Sequence, residues 1–192
     1  MCAFPFVTAW RAYLSVLEKH QLSTMACTTG ALMCASDILS QVVIEKRGFN
    51  RDQKYDATRS LRFFGFGMVL AGPVFRTWYW MLDKTFRMAK FGNLKMVFFD
   101  QVVFAPSFIL FFFISMAAMK GESMCEIKDK INKDYFAVMC TNYQVWPLIQ
   151  ACNFTFVPVQ HRVLVINLVS LGWNTYLAWK SEHELNHKEV SH

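Results

Sequence analysis

The sequence predicts an all-α membrane protein, a bundle of four or five transmembrane helices preceded by an amphipathic helix, and three observations carry that prediction. Hydrophobic residues make up 54% of the 192 and charged residues 18%, a balance unusual for a soluble domain. The charges are unevenly spread: the segments 21–44, 63–82, 96–119 and 135–161 contain just Asp37, Arg76 and Asp100. Each of those segments reaches the roughly 20 residues that a helix needs to cross a hydrocarbon core. A fifth apolar stretch, 163–179, runs 17 residues without a charge, at the short end of the spanning range, which leaves the count at four or five. The chain is therefore taken as one integral membrane domain: an amphipathic helix at 6–20, spans at 21–44, 61–82, 96–119 and 135–158, a further apolar helix at 161–180 and a polar tail at 181–192.

At the N-terminus, Phe6, Trp10, Tyr13, Leu14 and Leu17 recur at helical spacing while Arg11, Ser15, Glu18 and Lys19 take the opposite face. Such a helix is suited to lie in the headgroup layer. The start lacks an early basic region followed by an apolar core, so no cleavable signal is expected.

In the first span, Cys27, Gly30, Cys34, Asp37 and Gln41 form a small and polar seam at alternating three- and four-residue steps. Leu32, Met33, Leu39 and Val43 flank it as a lipid-facing surface. Small residues let backbones approach and polar ones bond across helices, so the seam is expected to face protein or water. The second span carries Gly65, Gly67 and Gly72 with Pro73, which permits close approach and a kink or local unwinding. It ends in Trp78, Tyr79 and Trp80, read as interface anchors, with Arg76 able to snorkel towards that interface.

The third span opens with "FFDQVVFAPSFILFFF", residues 98–113, where Asp100 and Gln101 head an otherwise apolar run. Asp100, Phe104, Ser107 and Phe111 share a face, and Pro106 threatens a bend. After a mixed-charge connection at 120–134, the fourth span places Gln150 and Asn153 on one side between Pro147 and Pro158, which predicts a short bent helix. The last apolar helix carries Asn167, Trp173, Asn174 and Tyr176, with Trp173 read as a further interface anchor.

The formal charge of +6 sits mostly in the connections 45–62 and 83–95. Simple spans put these on opposite sides, so the positive-inside rule leaves orientation open. Anionic lipid headgroups suit such loops, and the absence of an aromatic-interleaved basic patch argues against direct nucleic-acid binding.

Enzymatic chemistry would require a nucleophile with a base, a metal cluster or a phosphate cradle, and the sequence offers none. The six Cys show neither C-x-x-C nor zinc spacing, and in apolar helices they read as small hydrophobes. His20 and His161 are isolated; His183, His187 and His192 fall in the tail. No metal, no cofactor and no catalysis are expected.

The intramembrane polar set, Asp37, Gln41, Asp100, Gln101, Gln150 and Asn153, admits two readings. It holds the bundle together through interhelical hydrogen bonds, or it borders a hydrated route for solutes or ions.

Several stretches together resemble a known family. They are "WRAYLSVLEKH" at 10–20, "GALMCASDILSQ" at 30–41, "RSLRFFGFGMVLAGPVFRTWYWMLDK" at 59–84, "FFDQVVFAPSF" at 98–108 and "NYQVWPLIQACNFTFVPVQHRVLVINLVSLGWNTYLAWK" at 142–180. The chain resembles the Mpv-seventeen and peroxisomal membrane protein family over nearly its whole length, most specifically in W-P-x-x-Q-x-x-N-F, V-P-x-x-x-R and W-N-x-Y-L. It departs from the family's common His-Pro at His20-Gln21. The resemblance implies a four-span protein acting as a weakly selective channel for small solutes or ions. It further implies the mitochondrial inner membrane, with links to membrane potential, reactive oxygen species and mitochondrial DNA maintenance. The alternatives are a peroxisomal membrane pore and a non-conducting interaction scaffold. Membrane lipids, small solutes or ions and a second copy of the chain are the expected partners.

Overall fold

The computed structural model describes residues 11–13, 15–16, 19–47, 54–86, 88–156 and 159–182. Most of the amphipathic segment 6–20, Pro158 and the tail from 183 lie outside these, as do the side chains of Gln150 and Asn153.

The helices are α1 (Gln21–Leu39), α2 (Ala57–Gly65), α3 (Gly72–Phe86), α4 (Gly92–Phe99), α5 (Ala105–Lys120), α6 (Met124–Phe156) and α7 (Val159–Glu182). π-helical turns extend α1 through Ser40–Ile44, join α2 to α3 through Phe66–Ala71, and join α4 to α5 through Asp100–Phe104. Among the described residues these elements make five long helical rods, and no strand occurs. Two of the rods, at Leu22–Ile44 and Leu94–Lys120, are long and apolar enough to cross a membrane.

Both prolines expected to kink the second and third spans sit just beyond a π turn. Gly72 N–H bonds back to Gly67 O, five residues away, immediately before Pro73. Ala105 N–H likewise bonds to Asp100 O immediately before Pro106. Proline has no N–H to give and its ring crowds the carbonyl four residues back; a widened turn relieves the crowding while the helix continues. Pro147 sits inside α6, which also continues through it.

The sequence reading treats 120–134 as a connection, yet α6 starts at Met124 and runs 33 residues. Only Gly121–Ser123 separates it from α5, and Gly121 takes the left-handed conformation with φ 84°. Ser123 and Glu126 form a capping box: Ser123 N–H donates to Glu126 Oε2 at 2.8 Å, and Glu126 N–H to Ser123 Oγ at 3.4 Å. Ile127, Asp134 and Val138 then point inward from the charged half of the helix. Glu126, Lys128, Asp129 and Lys133 take the solvated side of an amphipathic helix, while Asp134 turns inward to pair with Lys180.

Side-chain contacts give each rod its direction. Arg59, early in the second rod, meets Glu45 just past the first, while Gly72 packs on Ala26 near the start of α1. Phe63 meets Phe112, and Phe86 meets Phe99. Tyr135 reaches Pro106, and Tyr143 reaches Gln101. Lys180 pairs with Asp134, and Trp173 meets Trp146. Successive rods are thus antiparallel. α7 closes the ring by lying parallel to α1, with Ser36 Oγ donating to Leu171 O at 3.3 Å.

The core lies inside this ring: Met33, Phe63, Phe66, Phe112, Phe113, Met116, Val138, Leu177 and Ala178 are buried in one cluster. Phe66 and Phe112 meet edge-on with centroids 5.4 Å apart, the favoured aromatic geometry. α1 turns Gly30, Asp37 and Gln41 of the expected seam inward and leaves Leu39 and Val43 exposed, and it departs from the expectation at two positions. Met33, assigned to lipid, is 4% exposed, and Cys27, assigned to the seam, is exposed. The cause is a backbone contact that residue polarity alone cannot reveal. A Cβ on Gly67 would lie 2.7 Å from Gly30 Cα, and one on Gly72 2.7 Å from Ala26 Cα, so those glycines set the rotation of α1.

A methyl group at 67 has nowhere to go. Gly67→Ala is expected to lower stability by about 1–3 kcal/mol through overpacking. Gly65→Ala, whose Cβ would meet only Met119 Cε at 4.0 Å, should be tolerated. Thermal unfolding of the two variants in detergent compares them directly, and equal losses would refute the close-packing role.

Candidate functional site

The polar residues inside the ring divide into two separate constellations, and the sequence reading had grouped them as one set. The first surrounds Arg59, which belongs to α2 and is 1% exposed, although the sequence reading places it in a headgroup-facing loop. Its Nε lies 2.6 Å from Asp37 Oδ1 and its Nη1 2.8 Å from Glu45 Oε1. Its Nη2 donates to Ser40 Oγ at 3.2 Å and to Ala178 O at 3.4 Å. Asp37 Oδ2 accepts from Ser60 Oγ at 2.6 Å and from Gln41 Nε2 at 2.8 Å. Gln41 Oε1 accepts from Asp56 N–H at 2.8 Å, and Asp56 caps α2 by accepting from Arg59 N–H at 2.9 Å.

Arg47 Nε completes the group on Glu45 Oε2 at 2.6 Å. Two carboxylates thus face two guanidinium groups, and the cluster is electrically balanced. Burial alone would push the Glu45 carboxyl up, but Arg59 and then Arg47 outweigh it and hold the carboxyl below its ordinary value. Nearby, Lys120 Nζ bonds Glu182 Oε2 at 2.8 Å, Lys180 pairs with Asp134 at 2.6 Å, and Lys130 Nζ donates to Ser181 O. Ser181 and Glu182, assigned to a polar tail, are the buried end of α7.

The second constellation borders a cavity of about 280 Å³ whose walls come from all five rods. Asp100 and Gln101, on the π turn, are its principal polar groups, with Asn142 from α6 and Asn174 from α7 opposite them. Asp100 Oδ1 accepts from the indole N–H of Trp78 at 3.1 Å, and Oδ2 from Gln101 Nε2 at 3.1 Å. Gln101 Oε1 accepts from Asn142 Nδ2 at 3.3 Å, and Tyr143 OH donates to Gln101 O at 3.1 Å. Among the described residues no Lys, Arg or His lies within ion-pair distance of Asp100. The contrast with Asp37 is a matter of charge: one carboxylate is compensated, the other is held by neutral donors alone.

Asp37 and Asp100 are therefore not brought together as a carboxylate pair. Of the anchors, Trp80 is 60% exposed with Lys84 Nζ 4.9 Å from its ring centroid, and Tyr79 is half exposed beside the cavity mouth. Trp78 stacks on Phe104 at 4.9 Å instead of facing outward alone. Trp173, expected at an interface, lines the cavity edge-on to Trp146, 6.3 Å between centroids. Gly72 serves close packing against α1. Ser107, expected on the Asp100 face, is exposed, because the π turn rotates α5 relative to α4. Arg59, Glu45, Ser60 and Asn142 escaped the sequence reading. Asn142 had a signal, since it lies four residues before Trp146 and eight before Gln150, on one helical stripe.

Fold and site together define a helical bundle with an aromatic core and two buried polar constellations, two of whose rods are long and apolar enough to cross a membrane. The profile of the Mpv17 / PMP22 family matches residues 117–178. The chain is 36% identical to the mitochondrial inner membrane protein Mpv17 of Xenopus laevis, over 90% of this chain and 96% of that protein. Against the protein of the same name from Homo sapiens the identity is 36%, over 90% and 97%. Against protein sym-1 of Neurospora crassa it is 38%, over 87% and 95%. No solved structure matches the chain. The chain belongs to the Mpv17 / PMP22 family and, like the Xenopus and human relatives, to the mitochondrial inner membrane.

Removing Arg59 would leave Asp37 and Glu45 buried without their main partner. Arg59→Met should cost about 3–5 kcal/mol, and adding Asp37→Asn should restore part of the loss, a non-additivity read from thermal unfolding of the single and double variants. Glu45 adds a pH dependence. Its folded value lies below 4.5, so its contribution is complete above pH 4.5 and is lost as the pH falls through the folded value. The acid limb of the melting temperature should flatten in Glu45→Gln.

Proposed function

We propose that the protein is a weakly selective channel for small solutes or ions, with the cavity around Asp100 as part of its route. All five rods cross the bilayer in this reading. The shortest have 24 residues, α1 with its π turn and α7, about 36 Å at 1.5 Å per residue, against a hydrocarbon core of about 30 Å. Of the four or five spans expected from the sequence, this reading takes five.

One observation carries the proposal: an uncompensated carboxylate and three side-chain amides meet in a cavity bordered by every rod. Charges inside membranes are costly and tend to face water-filled routes. Asp37 and Gln41 serve the bundle and not the route, because the guanidinium of Arg59 neutralises the one and Asp56 and Ser60 occupy the other. The Phe63, Phe66, Phe112 and Phe113 cluster closes the ring next to the cavity, so conduction requires these side chains to shift, as in hydrophobic gates. No catalytic role is assigned. Effects on membrane potential, reactive oxygen species and mitochondrial DNA maintenance would follow from regulated leakage through such a route.

The same aromatic plug favours a second reading, a non-conducting scaffold with a sealed interior. Liposome swelling with solutes of graded size separates the two. The channel reading expects flux with a size limit, and single-channel currents whose cation preference falls in Asp100→Asn while Asp37→Asn, if folded, keeps it. Absence of flux from purified folded protein would leave the scaffold standing.

A further inference from the structure

We propose that the cavity around Asp100 binds a small organic monovalent cation, a protonated amine or quaternary ammonium ion. This rests on the reading of the cavity as part of the solute route, and names the class of solute which that route favours.

Three features of the walls lead there. Among the described residues that line the cavity, Asp100 carries a negative charge and none carries a positive one. Both carboxylate oxygens receive one hydrogen bond each from neutral donors, Trp78 and Gln101, which orient the group but leave its charge uncancelled. A partly buried carboxylate with no counter-charge among the described residues favours a cation entering beside it.

The rest of the lining selects the kind of cation. Trp146 and Trp173 meet nearly perpendicular, at 79°, and Phe75, Tyr79, Phe104 and Phe108 supply further rings. Ring faces attract an ammonium carrying apolar substituents, most strongly when it is desolvated. A hard divalent ion such as calcium or magnesium would instead need about six or more oxygen ligands. The volume, about 280 Å³, is roughly that of nine liquid waters, too large for a bare inorganic ion and sufficient for an organic one. Asn142 and Asn174, also in the lining, can bond a hydroxyl or carbonyl on its tail.

Isothermal titration of the full chain in detergent tests this with two probes of equal shape: choline, and 3,3-dimethylbutan-1-ol, in which carbon replaces the charged nitrogen. Choline should bind at least about tenfold more tightly than the alcohol, and Asp100→Asn should remove most of that difference while leaving the alcohol unchanged. Equal affinities in the unaltered protein, or no saturable choline binding, would overturn the inference without any variant. Swelling assays report on the channel separately. Charge-selective binding without solute flux refutes conduction alone, and flux without charge-selective binding refutes this site alone.

Discussion

The position of one guanidinium governs much of this structure. Arg59 comes from α2, yet its three nitrogens reach a carboxylate on α1, a second carboxylate just beyond it, and a hydroxyl and a carbonyl from α1 and α7. An arginine buried to 1% exposure is tolerable only if its charge is paired, since the desolvation cost of an unpaired charge in a medium of low polarity exceeds what packing returns. That requirement limits the rotation of α1, the start of α2 and the approach of α7. The ring closes between α1 and α7, two rods distant in sequence, near this one group.

The cavity obeys the opposite logic. Around Arg59 charges cancel and nothing is left for a solute. Around Asp100 the donors are an indole and an amide, which fix the carboxylate without neutralising it. The backbone there is also out of the ordinary: Asp100 and Gln101 open a π turn that accommodates Pro106, and widened turns of this kind recur at functional sites. The proline that reads as a kink in the sequence thus contributes to where the cavity's polar groups sit.

The legible part of the fold was the part written in composition and period. Charge-poor runs marked out α1 and the rods that carry Pro73 and Pro106, and the Asp37–Gln41 and Asp100–Gln101 pairs stood out because polar residues are scarce there. The extension of α6 into a charged segment was also present in principle, as the box Ser123–Glu126 followed by Ile127, Ile131 and Val138. It was obscured because mean charge dominates a reading tuned to membranes. Arg59 was illegible for a different reason: in sequence it is one of six basic residues between two spans, and nothing local distinguishes it from Arg62 or Lys54.

By itself the sequence determined that the chain is helical and membrane-embedded, which intramembrane residues are polar, and which family it resembles, because hydrophobic runs, helical period and short specific motifs are properties of the chain alone. Only the tertiary structure decided that Asp37 is neutralised and Asp100 is not, that Trp173 faces inward, and that five rods share a cavity. Those outcomes depend on which side chains meet across helices. They are set by backbone approach at Gly30, Gly67 and Gly72 and by the need of a buried charge for its partner, neither of which any single stretch of sequence contains.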